Sequence, residues 1–456
     1  VTEAKAAEHA RPGRAGVERA AAVVLAAVAC FLLLRSWQVG QSYPGIDYYQ
    51  FWAVGEAIEH DGVSNPYSDD ERVRMGALYL ERASREDAAP RHRAVAQGRA
   101  VLETYSTPFL YTAMHAIASG DYERDFTRWH TLSLLAFVAA VVMFGRAAGV
   151  GWGGAAALLA LVVAFGAPFQ SETQVANVNR VQLGGLALAT LLLGRSGAGG
   201  SVVLGGAVLA ACATFKPNVA IAVVLVAITV GAQLGRRALL ELVVGGAVSA
   251  VLCFGAAALF CGSAGSWLDW AATISLIPEE IIRVSLGNYA PLPLLLGTRG
   301  AGASLAIAAL LCVPVAVALV RRSDPPASDR ERGRVLVTTV GLGCVVYLAT
   351  ATLVWEHYFL LALPLAIALG GHAVAVREPD AAGWVRLRVL PALAFLGLLA
   401  TPTYGIAGLP HEIYFPLVQG SALVIFYILG VWSLLDRVAA PASDQASNTN
   451  ARSESS

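Results

Sequence analysis

The stretch Thr107-Pro108-Phe109-Leu110-Tyr111-Thr112-Ala113-Met114-His115-Ala116-Ile117-Ala118-Ser119-Gly120 decides how this chain is threaded. It is apolar, but as a helix it reaches about half-way through a hydrocarbon layer that takes about 20 residues to cross. Counted as a span, it would put Arg146, at the end of the next run (126–146), on the outside and reverse every later segment. Counted as an interfacial or re-entrant helix, it leaves 126–146 running inward. The arginines then fall into a pattern. Arg146, Arg195, Arg236, Arg237, Arg321, Arg322, Arg377, Arg386, Arg388 and Arg437 close alternate apolar runs. All these ends are cytoplasmic if positive charge stays inside. Runs of about 17–25 mostly apolar residues number about twelve, so both termini are expected in the cytoplasm.

Working outward, composition agrees. Of 456 residues 56% are hydrophobic and only 14% charged, with a mean hydropathy of +0.60. A soluble domain carries about a quarter charged residues, so an all-α polytopic membrane protein is expected. Net charge is zero, and nothing points to nucleic acid. The six cysteines lie in or beside apolar runs, with no CxxC pair and no zinc-site spacing, and read as packing residues. The first apolar run, 17–37, follows Arg11, Arg14 and Arg19. It is too long for a signal-peptide core and should be a retained anchor. The expected organisation is a cytoplasmic tail (1–16), a membrane-embedded unit (17–438) with a large first outer loop (39–125), and a disordered cytoplasmic tail (439–456). No internal repeat, Walker loop, dinucleotide fingerprint or HExxH motif is present.

On this threading the outer segments hold the chemistry. The first loop opens with Gly45-Ile46-Asp47-Tyr48-Tyr49-Gln50-Phe51-Trp52, one carboxylate among aromatics. It continues into amphipathic stretches around 69–85 and 91–104 that read as helices on the membrane surface. The other outer segments are 168–180, the turn Phe215-Lys216-Pro217-Asn218, 262–289, Trp355-Glu356-His357-Tyr358 and 402–415. Ionisable groups at a membrane boundary face a cavity or one another. The candidates are Asp47; Asn177, Asn179 and Arg180; Lys216 with Asn218; Asn288 with Tyr289; and Glu356 with His357. Lys216 is conspicuous because the only other lysine is Lys5.

A cavity so lined suits a phosphate-bearing lipid with a polar head. Lysine and arginine neutralise phosphate oxygens, amides hydrogen-bond sugar hydroxyls, and the carboxylate takes a proton from an attacking hydroxyl. Each candidate also has a plainer reading. Asp47 could be a solvated acid in an aromatic belt. Lys216 and Arg180 could snorkel, Asn177 and Asn179 could cap a helix, and His357 could be a satisfied interfacial histidine. Glu172 and Arg283 read as solvated. His60, His92, His115 and His411 carry no special signal.

Six motifs occur in order. They are Gly45-Ile46-Asp47-Tyr48-Tyr49, Asn65-Pro66-Tyr67, Tyr105-Ser106-Thr107-Pro108-Phe109, Ala176-Asn177-Val178-Asn179 in the place of a Gly-Gln-Val-Asn, Phe215-Lys216-Pro217, and Trp355-Glu356-His357-Tyr358. Together they resemble the polyprenyl-phosphate-sugar-dependent glycosyltransferases of the GT-C superfamily, in particular the GT87-like group that includes phosphatidylinositol-mannoside mannosyltransferases. The resemblance covers about residues 21–375. It implies a fold of about 12 transmembrane helices in a bacterial plasma membrane, with the active site on the extracytoplasmic side. It implies an inverting transfer of a sugar, mannose first and arabinofuranose as the alternative, from a polyprenyl-phosphate donor to a lipid-linked or glycan acceptor. Asp47 takes the general-base position and His357 an active-site place. Lys216, Arg180, Asn177, Asn179, Tyr48 and Glu356 take donor binding. No cofactor is implied with certainty, and the single clear acid gives no case for a divalent metal. A lipid or solute transporter is the rival from another class, for which repeats and midplane charges would be expected.

Overall fold

The computed structural model describes residues 12–85, 88–195, 199–277, 288–297, 300–322, 326, 328–376, 381–399 and 410–436. The expectations for tail residues 1–11 and 439–456, for Arg283, Arg377 and Arg437, and for 402–409 lie outside these. The described residues are helical, without strands. Helices α1 (Pro12–Gly40) and α2 (Ile46–His60) lead into α3 (Asp69–Ala83), α4 (Pro90–Gly98) and α5 (Pro108–His115). Then come α6 (Tyr122–Ala148), α7 (Trp152–Phe165), α8 (Ala167–Val175), α9 (Asn179–Gly194), α10 (Gly199–Phe215) and α11 (Ala220–Phe260). The remainder is α12 (Ser266–Ser275), α13 (Pro291–Leu296), α14 (Gly300–Arg321), α15 (Asp329–Thr350), a 3-10 turn Glu356–Ala362 continuing as α16 (Leu363–Ala375), α17 (Ala381–Trp384), α18 (Leu390–Leu399) and α19 (His411–Leu435).

Among the described residues, eight helices are long and apolar enough to cross a membrane. One of them, Pro217–Phe260, is broken at Gly235, whose φ of 85° and ψ of 176° are not helical. Two shorter apolar helices, Trp152–Phe165 and Gly199–Phe215, accompany them. Large side chains on the bundle's outside, such as Leu259, Leu305 and Val251, are exposed, as a lipid-facing surface requires. Inside, close helix approach depends on small residues. A Cβ on Gly343 would meet the backbone of Ala222, one on Gly371 the carbonyl of Ala148, and one on Gly206 the carbonyl of Leu242.

The helix that decided the threading, α5, has 8 residues, a rise of about 12 Å, and does not cross. Thr107 starts it. Its Oγ1 accepts from the Leu110 N–H at 3.1 Å, and its hydroxyl donates to the Phe215 carbonyl at 2.9 Å. That second bond ties α5 to the lysine turn.

Helix ends gather in two groups. At one, Arg322, Arg330 and Arg332 cap other helices. Arg330 donates to the Gly149 carbonyl at 2.6 Å, Arg332 to Gly194 at 3.4 Å, and Arg322 to Leu434 at 2.9 Å. These carbonyls end α6, α9 and α19 and have no intrahelical donor. At the opposite end the first loop builds a second apolar core around α2, whose residues 48–58 are all buried. It is aromatic, with Tyr48, Tyr49, Trp52, Tyr79, Tyr111, Tyr122, Phe126 and Trp129. Asp125, 1% exposed, pins it by accepting from Trp52 Nε1 and from the Ser119 N–H and hydroxyl.

One expectation for the loop changes in detail. The second amphipathic stretch ends as a helix at Gly98, not near 104, so Arg99 and Glu103 lie on the irregular segment that follows it. Helix α2 itself follows no polar-apolar period, because it is enclosed on every side.

Candidate functional site

Asp47 is placed by the turn before it. Gly45 caps α2 with φ 70° and ψ 57°, a left-handed conformation that glycine adopts without penalty. A Cβ there would run into the Phe126 ring. Asp47 thus falls in the first helical turn, where the helix dipole favours an anion.

Three other segments meet its carboxylate. Asn177 Nδ2 donates to Oδ2 at 2.6 Å. His357 Nε2 stands 3.6 Å from the same oxygen, and Arg99 Nη2 3.8 Å from Oδ1. Lys216 joins through Asn177: its Nζ donates to Asn177 Oδ1 at 2.9 Å. One amide therefore bridges the acid and the lysine, offering N–H to the anion and oxygen to the cation. The ammonium also lies 4.2 Å from the centre of the Tyr358 ring, a favourable cation–π position. The Asp47 side chain is 16% exposed and Arg99 19%, against 5% for His357, so the cluster opens on the first-loop side.

Burial and charge set the protonation states. Burial raises the Asp47 pKa above its usual value, against the pull of the Asn177 hydrogen bond and of Arg99 and Lys216. Burial pushes the Lys216 amine down, to about 8, while Asp47 and Glu172 act to raise it. A base and a cation are thus both tuned toward neutrality.

The backbone that presents Asn177 is strained. Ala176, the C-cap of α8, has φ 54° and ψ 47°, and it is the one non-glycine positive φ among the described residues. Its carbonyl accepts from Trp129 Nε1 at 3.0 Å. Lys216 is extended, and Pro217 starts a 3-10 turn, Pro217–Val219.

The N-cap reading of the asparagines does not hold. The cap of α9 is Val178, without a side-chain bond. Asn177 instead accepts from the Val178 N–H at 2.7 Å and keeps its amide for Asp47.

Other candidates lie elsewhere. Arg180 is fully buried rather than snorkelling. Its Nη2 donates to the Phe169 carbonyl and to Thr173 Oγ1, and its guanidinium lies over the Phe169 ring. Tyr48 stacks on Trp129 at 5.9 Å within the aromatic core. Asn179 is 0% exposed and spent on Glu172 and Asn218. Asn288 ties its segment to 352–354, donating to the Thr352 carbonyl and accepting from the Val354 and Ala290 N–H groups. Glu356 heads the 3-10 turn beside His357, and its carboxylate makes no bond to the cluster.

Glu172 corrects the sequence reading outright: it is 0% exposed, not solvated, because α8 packs against the 3-10 turn Glu356–Ala362 and Asn179 Nδ2 donates to its Oε2 at 2.9 Å. Sequence reasoning also missed Arg99, which gave no signal, and Tyr358, which stood unremarked beside His357.

Among the described residues no group of three or more His, Cys, Asp or Glu side chains converges as metal ligands. A divalent cation at the cluster would find one carboxylate and one imidazole. Comparison of the chain with protein-family models, with curated proteins and with solved structures found no match.

Proposed function

We propose that this chain is a membrane glycosyltransferase that moves a sugar, mannose in the first instance, from a polyprenyl-phosphate donor to a lipid-linked or glycan acceptor, with inversion. The observation that supports it most is the convergence of Asp47, Asn177, Lys216 and His357, from four distant segments, on one nearly closed polar cluster beside an apolar bundle. A lipid phosphodiester and a hydroxyl are the reactants such a cluster serves. Asp47 takes the acceptor's hydroxyl proton as that oxygen attacks C1 of the sugar. The C1–O bond to phosphate breaks, and its electron pair leaves with polyprenyl phosphate. Lys216 holds the phosphate oxygens, with Arg99 on the open side as a second cation. His357 Nε2 is buried without a hydrogen-bond partner and stands 3.6 Å from Asp47 Oδ2, close enough to meet a hydroxyl bound to that carboxylate. Fixing two membrane-anchored reactants in one place supplies much of the rate.

The proposed threading has twelve crossings. The helix pair joined at Gly235 counts twice, and α7, α9 and α10 are added to the long spans. Both termini and the arginine-capped end then lie in the cytoplasm, and the Asp47 cluster lies outside the bacterial plasma membrane. Incubating purified protein in proteoliposomes with labelled polyprenyl-phospho-mannose, and in parallel with polyprenyl-phospho-arabinose, tests the activity and the sugar. Label should pass to lipid or glycan acceptor from one donor; labelled donor returned unchanged in both cases overturns the proposal.

A further inference from the structure

The most enclosed acid next to the cluster has no part in the steps above. Glu172, on α8, is linked by buried amides to the lysine turn. Its Oε2 accepts from Asn179 Nδ2 at 2.9 Å, and Asn179 Oδ1 accepts from Asn218 Nδ2 at 3.3 Å. Asn218 Oδ1 accepts from Gln182 Nε2 at 2.7 Å, and the same Nε2 donates to the Lys216 carbonyl at 2.9 Å. Glu172, Asn179, Asn218 and Gln182 are all at most 4% exposed. An amide can turn either end to its neighbour, but an ionised carboxylate only accepts. The acid at the head of the chain therefore fixes the direction of each later link, and the last link lands on the backbone of the residue that aims at Asn177.

Glu172 also acts through space. It is one of two carboxylates whose field falls on Lys216, Asp47 being the other. Its Oε1 has no hydrogen-bond partner although it is enclosed. The charged groups around it are Arg180 from α9, Lys216 from the end of α10 and Asp47 from α2.

Resting on the glycosyl-transfer reading, we infer that Glu172 is a positioning residue for Lys216: its carboxylate orients the amide chain that holds the lysine turn, and its charge provides the ammonium with a second negative neighbour besides Asp47. Its own acidity fits this use. Burial raises the Glu172 carboxyl to about 7, so it gains its charge just below the pH at which Lys216, at about 8, begins to lose its proton.

The test uses the full chain in nanodiscs with polyprenyl phosphate as the probe, its affinity measured from pH 6 to 9.5. For the unaltered protein, affinity holds near neutrality and falls above about pH 8 as the ammonium is lost. In Glu172→Gln the fall moves to lower pH by about one unit, the scale of one nearby charge, while affinity at pH 6, where Glu172 is itself largely uncharged, stays close to that of the unaltered protein. Asn218→Ala breaks the chain without changing charge, so it lowers affinity at every pH and leaves the position of the fall unchanged. A Glu172→Gln profile that keeps the unaltered protein's position overturns the inference, as does an Asn218→Ala affinity equal to that of the unaltered protein. Failure of the unaltered protein to bind the probe at any pH counts against the transferase reading itself.

Discussion

Asp47 is held between opposing demands. Burial favours its neutral form, while the start of α2, Asn177, Arg99 and Lys216 favour the anion. A base must be ionised to act, so its raised pKa places the acid limb of activity above the ordinary carboxylate range, with the rate rising as pH rises. Lys216 must be protonated to hold phosphate, so its depressed pKa places the alkaline limb at about 8, with activity falling as pH rises. The pH–rate profile under saturating acceptor should therefore be a bell ending near pH 8; a rate flat from 5 to 9 contradicts these roles. Lys216→Ala should raise the donor KM or Kd by about tenfold or more, the scale of a lost charge-assisted contact, and an unchanged donor Kd rules its phosphate role out.

These residues were legible in the sequence for a physical reason. A lone lysine, an acid and a histidine beside apolar runs are costly unless used. Glu172 was not legible. Nothing in 168–180 says that α8 turns its acid inward, because that depends on a left-handed residue at Ala176. Arg99 was hidden for a similar reason: its place depends on where α4 stops.

At the scale of the element, two turns carry the site. Gly45→Ala adds roughly 1–2 kcal/mol of left-handed strain and drives a methyl group into Phe126. It should lower the thermal midpoint in detergent and cut transfer by displacing Asp47; an unchanged midpoint would show that the turn does not depend on glycine. Ala176→Gly runs the other way. It relieves strain of roughly 1–2 kcal/mol and returns about 0.4–1 kcal/mol to the unfolded chain. The net is a gain of about 0.5 kcal/mol, visible as a slightly higher midpoint with donor affinity retained. The short α5 was readable from length alone, whereas the long α2 was not, because an enclosed helix shows no polar face.

At the scale of the molecule, two kinds of packing are joined. The bundle relies on small residues at crossings and on arginines that cap helix ends. The first-loop unit has an aromatic core of the kind a water-soluble domain uses. Asp47, Asn177, Lys216 and His357 lie at the junction of the two. The membrane class and the all-helical architecture could be read from composition, run length and the arginine pattern. The second core could not, since it is assembled from short pieces far apart in the sequence.

Purified protein in proteoliposomes, given labelled polyprenyl-phospho-mannose and an endogenous lipid extract as acceptor, tests the central claim most directly when it is compared with Asp47→Asn under identical loading. The expected result is transfer of label by the unaltered protein, a loss of at least about 100-fold in the variant, and equal donor binding by both. Near-normal transfer by Asp47→Asn, or none by the unaltered protein with either sugar donor, would contradict it.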